Sequence, residues 1–368
     1  MTGPAVIVVG GGIVGLSVAY HLVGRGGRVD LIDAGDGPSA TSRAALGVLT
    51  HSNGGDSPYA RLYRDGHRGF EELADRLRHE VGVDIGWRPL GGMDLCFSEV
   101  EEEEAEASRR FNLSRGCQVE WLDGSQVRAL EPQINDRVRS GLYFPDDHRV
   151  DPEGLAAGLR AGIAASGGRV HQREVAHSLL EAANGIDLQT SRGRRRADFL
   201  VLAAGSWSGE LGARFGYDIG VRPVRGQHGR FASAGAAAHV VRGGGLQSVA
   251  VSGAVIVGST TEETGFDAAT TAGAMDVFHG YWRQGFATPP QPQGQRAGLR
   301  PKPRGGRPMI GPLPGADRVF AATGHYKNGI LLGPLTGRLI AEWIVDGRPS
   351  RPMDVFGVRG AGGSRPVC

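Results

Sequence analysis

The stretch PAVIVVGGGIVGLSVAYHLVGRGGRVDLIDAG, residues 4–35, decides the fold. Its apolar run AVIVV is β-branched and ends at glycine, the pattern of a buried strand. Gly10, Gly12 and Gly15 follow as GxGxxG. The three glycines serve a tight turn, close approach of backbone to a pyrophosphate, and close helix–strand packing. A helix opens over Gly12, Ile13 and Val14, continues through Ala19 and Leu22, and closes at Gly26–Gly27; RVDLID (28–33) reads as the next strand. The helix start offers unpaired N–H groups and a positive dipole end to a phosphate. Asp33 ends the second strand about 20 residues after the turn, where a carboxylate accepts from ribose hydroxyls. A bare GxGxxG says little, but strand, turn, helix and acid together predict a dinucleotide-binding βαβ unit.

Bulk properties narrow the partners. A chain of 368 residues buries a large core, divided between two domains. Its net charge of +2 is too mild to imply nucleic acid or an anionic membrane surface. RGRRR (192–196) is the one dense basic run, and its place between GIDLQTS and ADFLVLAAG predicts a solvated hairpin turn. EVEEEEAE (99–106) predicts a helix start with a solvated face. Cys96, Cys117 and Cys368 form no CxxC and no metal-ligand cluster, which suits a reducing compartment. No signal-peptide pattern and no apolar run of about 18 residues is present, so a cytoplasmic protein is expected.

Downstream segments bear on which nucleotide binds. ATSRAALGVL (40–49) is a small, hydroxyl-rich loop with one arginine, suited to wrapping a diphosphate and a flat ring system. ADFLVLAAGSWS (197–208) ends an apolar strand at small residues, where a backbone passes close to a cofactor. PLTGRLIAEWIVDG (334–347) has helical periodicity, with Pro334 suited to the first helical position and Gly347 to the C-cap side. Nucleotide-type segments thus return at the C-terminal end.

These residues, with GGMDLCFSE (91–99), ALEPQI (129–134), GLYFPDDHRVDP (141–152), VLAAGSWS (201–208), VRPVRGQ (221–227), GAVIVGSTTEETGFD (253–267), GLRPKPRGGRPMIG (298–311) and GHYKNGILLGPLTG (324–337), resemble the FAD-dependent glycine oxidase branch of the D-amino-acid oxidase and sarcosine oxidase family. The resemblance covers most of 5–347. It implies an α/β, Rossmann-type FAD-binding domain, discontinuous over 1–86, 150–215 and 313–356, with a second, mainly antiparallel-sheet (α+β) substrate domain over 87–149 and 216–312. Residues 357–368, rich in Gly, Arg, Pro and Ser, read as a disordered tail.

The resemblance also implies site residues. For FAD they are Gly10, Gly12, Ile13, Val14, Gly15, Asp33, Ala34, Thr41, Ser42, Arg43, Ala45, Gly47, Val175, Ala204, Gly205 and Trp207, with the turn Gly324, His325, Tyr326, Lys327, Asn328, Gly329, Ile330 and Leu331. Arg300 is expected to hold a substrate carboxylate, because a guanidinium fork matches it. Lys302, Arg304 and Arg307 read as a solvated loop. Lys327, one of only two lysines in the chain, stands where this branch usually has Arg. It reads as a substrate-carboxylate contact, a charge beside the oxygen-reaction face, or a rim lysine. Gly298 replaces the cysteine that bonds flavin in the sarcosine oxidase branch, which implies non-covalent FAD. Leu246 stands where glycine oxidases carry a carboxylate-binding Tyr, and a structural role is expected for His325.

The implied activity is oxidative deamination of glycine, an N-substituted glycine or a small D-amino acid by hydride transfer to flavin N5. Products would be an imine, then a 2-oxo acid, with O2 reduced to hydrogen peroxide. The implied partners are an amino-acid substrate and O2, and a homo-oligomer is admitted. The Leu246 departure keeps open a biosynthetic tailoring oxidase or dehydrogenase acting on a larger or N-modified amino acid. A flavin-binding subunit with little activity alone is the reading from another class.

Overall fold

In the computed structural model, which describes residues 3–37, 39–50, 55–182, 184–233 and 238–358, the opening stretch forms β1 (Ala5–Val9), α1 (Ile13–Val23) and β2 (Arg28–Ile32). β1 pairs in parallel with β2 on one side and with Phe199–Leu202 on the other. The sheet runs in the order Met309–Pro312, Val319–Thr323, Phe199–Leu202, β1, β2, Arg169–His171. Only the outermost pair, Met309–Pro312 with Val319–Thr323, is antiparallel. Met309–Pro312 therefore belongs to this sheet, and the expected boundary, which places residues up to 312 with the other sheet, is corrected.

A parallel sheet covered on both faces needs apolar residues at every position. Val6 and Val8 point into a core shared with α1 and the C-terminal helix Gly329–Asp346. Ile7 and Val9 point the other way, toward the three-stranded sheet of Ala176–Ala182, Gly185–Thr190 and Gly193–Ala197. Burying each such side chain is worth roughly 1.5–3 kcal/mol.

Two close approaches bring both helices to the same place. A Cβ on Gly15 would lie 1.9 Å from the Gly10 carbonyl oxygen, so α1 sits directly on the turn. A Cβ on Gly337 would lie 2.4 Å from the Ser17 carbonyl, so the C-terminal helix packs backbone to backbone on α1. That contact corrects the expected start of this helix. It begins at Gly329, and Pro334 lies inside it rather than at its first position. Packing against α1 holds the glycine-rich first turns helical despite their poor propensity.

The second large sheet has eight strands: Pro292–Pro303, Val221–Ala232, Ala254–Gly258, Leu246–Val251, Val240–Gly243, Gly92–Cys96, Ser140–Phe144 and Glu120–Asp123. Every pairing is antiparallel except Val240–Gly243 with Gly92–Cys96. The helix Ala272–Gly285 covers one face through Phe278, Tyr281 and Trp282. The acidic run opens the helix Glu99–Leu113, capped by Ser98, whose hydroxyl accepts from the Glu101 amide at 3.3 Å.

The basic run departs from its reading as a solvated turn. Its last four residues lie in the strand Gly193–Ala197; Arg194 and Arg196 pair with Asp187, and Arg195 turns inward onto Glu174 with two bonds of 2.6 Å. Cys96 and Cys117 are buried free thiols, and the described residues hold no metal-ligand cluster. No described helix is long and apolar enough to cross a membrane. Of the segment expected as a tail, Val358 is buried in the core with Leu313 and Val319, whereas 359–368, including Cys368, lie outside the described residues.

Candidate active site

A cavity of about 740 Å³ opens where β1, β2 and Phe199–Leu202 end, the position in an open parallel sheet where ligands bind. Ligand sites run to about 1,000 Å³, so the space takes a large ligand. One end is built from local backbone. The α1 cap is Gly12, which has no side chain to satisfy the first amides, and no acid stands in the first turn. The C-terminal helix is the second such end: the side-chain amide of its cap, Asn328, donates to Tyr59 at 2.5 Å rather than serving the helix. Gly12, Ile13, Val14, Asn328, Gly329, Ile330 and Leu331 all line the cavity. Two helix starts without an N-cap side-chain bond thus face one space; the Ser42 hydroxyl accepts from the Ile13 amide at 3.3 Å, and the remaining first-turn donors suit anionic or electron-rich groups.

Asp33 closes this end, with one carboxylate oxygen accepting from the Gly11 amide at 2.5 Å and the other from the Gly35 amide at 2.8 Å. The expected loop 40–49 begins as a one-turn helix, Ala40–Arg43. The Thr41 hydroxyl donates to the Leu299 carbonyl at 2.9 Å, and the Ser206 hydroxyl donates to the same oxygen at 2.7 Å. These bonds clamp the strand that carries Arg300 to the nucleotide end. Ala34, Ser42, Arg43, Ala45, Gly47, Val175, Ala204, Gly205, Trp207 and Gly298 also line the cavity.

At the other end, Arg300 donates to the Thr260 carbonyl at 2.8 Å and to the Ser259 hydroxyl at 2.6 Å. Its guanidinium crosses so close over the neighbouring strand that a Cβ on Gly226 would meet it at 1.9 Å. It has no carboxylate partner among the described residues. Burial pulls Arg300 below the usual guanidinium value, yet arginine stays charged. Tyr326 and Lys327 line the same end. Burial, and then the neighbouring charges of Arg300 and Lys302, lower the Lys327 ammonium. Lys302 carries an ion pair with Glu263 and Arg304 one with Asp218.

His325 is 2% exposed; its Nε2 contacts the Thr336 hydroxyl at 2.9 Å, which ties the turn to the C-terminal helix. Its Nδ1 faces no partner among the described residues, and burial pushes the imidazole down to about 4, so the ring is neutral near neutral pH. Burial pushes the Tyr63 phenol up to about 12.

Three expected site residues do not line the cavity. Gly15 lies behind the turn against Gly10, and a Cβ on Gly324 would face Pro303 rather than the open space. Leu246 packs against the apolar cluster that includes Met93, Phe231 and Tyr281, on the far face of its strand. Successive strand residues point to opposite faces, so Gln247 is the side chain at the cavity. Gln247, Ser259, Tyr63 and Glu174 were missed in the sequence. Pairing of Gln247 with Gly258 could have been inferred only from the strand register.

The matches to known proteins agree with this geometry. The family model described as FAD dependent oxidoreductase (DAO) matches residues 5–343. The glycine oxidase of Geobacillus kaustophilus is 31% identical over 350 residues, covering 92% of each chain. The crystal structure of glycine oxidase from that organism superposes with a TM-score of 0.91 at 28% identity, covering 98% of this chain and 100% of that one. The iminodiacetate oxidase of Chelativorans sp. BNC1 superposes with a TM-score of 0.86 at 26% identity, covering 96% and 98%. FAD fits the residues present, because the α1 start and the Asp33 carboxylate meet its diphosphate and ribose chemistry, and the uncapped start of the C-terminal helix offers donors to its electron-rich ring in the same cavity. The chain belongs to the DAO family of FAD-dependent oxidoreductases.

Proposed function

We propose that the protein oxidises the carbon–nitrogen bond of a small amino acid: glycine, an N-substituted glycine or a small D-amino acid. The observation that carries this reading is Arg300, a half-buried guanidinium without a carboxylate partner at one end of a cavity whose other end suits a dinucleotide. FAD bound there would supply a two-electron acceptor for the substrate Cα–H, with O2 as the final oxidant and hydrogen peroxide as its product.

The chain supplies position and field. Ser259 and Thr260 hold two N–H groups of Arg300, which fixes the plane of the fork and leaves its remaining donors for a carboxylate. The acids that line the cavity, Asp33, Asp36, Glu174 and Glu210, stand with the nucleotide-end residues in the chain, and none belongs to the segments around Arg300 and Lys327. The amine therefore binds already neutral, with Arg300 and the uncapped start of the C-terminal helix orienting it. The released imine hydrolyses in water to a 2-oxo acid and ammonia or an amine. Anaerobic addition of glycine, sarcosine and D-alanine to the purified holoprotein tests the reading: at least one bleaches the flavin absorbance, and no bleaching across the set removes this substrate class.

A further inference from the structure

The loop 259–271 joins the strand Ala254–Gly258 to the helix Ala272–Gly285, and one buried arginine of the antiparallel sheet ties down both of its ends. Arg225 donates to Glu262 and to Asp267 at 2.7 Å each, and to the Ala269 carbonyl at 3.0 Å. Backbone bonds of 2.8 and 2.9 Å join Arg225 and Glu262 as well. The Gln227 side chain donates to Glu262 and accepts from the Thr271 amide, both at 2.8 Å. Charge-assisted bonds of this kind fix the base of the loop. Its tip, 263–266, turns at Gly265, whose φ of 61° is left-handed.

The tip makes two kinds of contact. Glu263 stays with its own sheet, pairing with Arg222 at 2.6 Å and Lys302 at 3.2 Å. Phe266 instead reaches Trp207, which ends the short helix Gly205–Trp207 after the strand Phe199–Leu202 of the parallel sheet. The two ring centres lie 5.6 Å apart with planes tilted by 34°. Trp207 lines the cavity and Phe266 does not, so Phe266 meets that space only through the indole. Trp207 is still 47% exposed and Phe266 39%, so the pair adds little to any core. What it provides is a flat apolar wall, the surface on which a ligand packs.

That wall belongs to the nucleotide end. The helix Ser208–Arg214 continues from Trp207 and lines the cavity through Glu210, Leu211 and Arg214. Leu211 packs against the apolar cluster that includes Ala176, the residue after Val175. The Glu174 amide donates to the Asp33 carbonyl at 2.9 Å, which brings this segment to the ribose-binding acid. The backbone under Trp207 is held by Ser206 on the Leu299 carbonyl and by Thr323, whose hydroxyl donates to the Gly205 carbonyl at 3.2 Å. Only the side-chain torsions of the indole are left to order, and Phe266 restricts them. Ordering a wall before the ligand arrives lowers the cost of binding.

We propose that Phe266 is a positioning residue for the cofactor: it keeps the Trp207 indole against the adenosine half of bound FAD, so that a loop of the antiparallel sheet latches the nucleotide into the parallel-sheet site. The inference rests on the FAD site and on no choice of substrate.

Flavin release from the holoprotein tests it without turnover, followed as flavin that passes an ultrafiltration membrane over time. Phe266→Ala should speed release by about 3- to 10-fold, the range expected for one aromatic contact. Phe266→Tyr keeps the ring and should stay within about twofold of the wild type. In a Trp207→Leu background, Phe266→Ala should add less than about twofold, because the two side chains act through one contact. The flavin absorption spectrum should not shift in any Phe266 variant. Unchanged release in Phe266→Ala, equal acceleration by Tyr and Ala, or an undiminished effect beside Trp207→Leu would each overturn the proposal. A shifted flavin spectrum would place the latch at the isoalloxazine and overturn its assignment to the adenosine half.

Discussion

Replacing Arg300 separates a substrate anchor from a structural cation. In the wild type two of its N–H groups are held by Thr260 and Ser259, and the others are left for ligand. A hydrogen bond to a charged group is worth about 1.5–3 kcal/mol, so losing a two-armed contact in a half-buried site costs about 3–4 kcal/mol. That is a rise of roughly 10²- to 10³-fold in the apparent Kd of Arg300→Met for a simple amino acid. Arg300→Lys keeps the charge but loses the fork, and an intermediate loss of about tenfold is expected. Stopped-flow reduction of the flavin without oxygen, at a series of substrate concentrations, gives the Kd and the limiting rate separately. An unaltered flavin spectrum in both variants confirms that the cavity is intact. Unchanged Kd in Arg300→Met, or equal losses in Met and Lys variants, would refute the fork argument.

In Gly337→Ala the added methyl would meet the Ser17 carbonyl at 2.4 Å, so the two helix starts should separate. A loss of about 1–3 kcal/mol and a lower flavin content are expected; full retention of both would contradict the close-packing argument. Glu174 is 1% exposed, and hydrogen bonds from Arg195, then from Thr190, hold its carboxyl down at about 2, against an ordinary value of 4.5. A depressed carboxyl stabilises the fold above its unfolded value, and that contribution is lost as pH falls from about 4.5 to about 2; the limit is roughly 3 kcal/mol. Urea titrations of wild type and Glu174→Gln should diverge least at the acid end. Gln247→Leu should change the ratio of kcat/KM between glycine and sarcosine by about 5- to 30-fold with flavin content retained, and an unchanged ratio would place this amide outside substrate contact.

Legibility followed locality. β1, α1 and β2 could be read directly because turn, caps and periodicity lie within 4–35. The periodicity of 334–347 marks the C-terminal helix but not its start five residues earlier, since the helical state of Gly329–Gly333 comes from α1, a distant segment. Gln247 was hidden because a one-residue shift of strand register exchanges the two faces. Arg195 read as solvated, although its partner Glu174 lies 21 residues earlier and meets it only when the three-stranded sheet folds. Arg300 is legible in the sequence as a residue, but that no acid among the described residues pairs with it depends on how distant strands bring Ser259 and Thr260 to its guanidinium.

A crystal of the holoprotein with bound methylthioacetate gives the most direct test. The account requires both carboxylate oxygens within hydrogen-bond distance of the Arg300 guanidinium, and the isoalloxazine beside the start of the C-terminal helix. A carboxylate bound elsewhere, with Arg300 turned toward a protein acid, would contradict it.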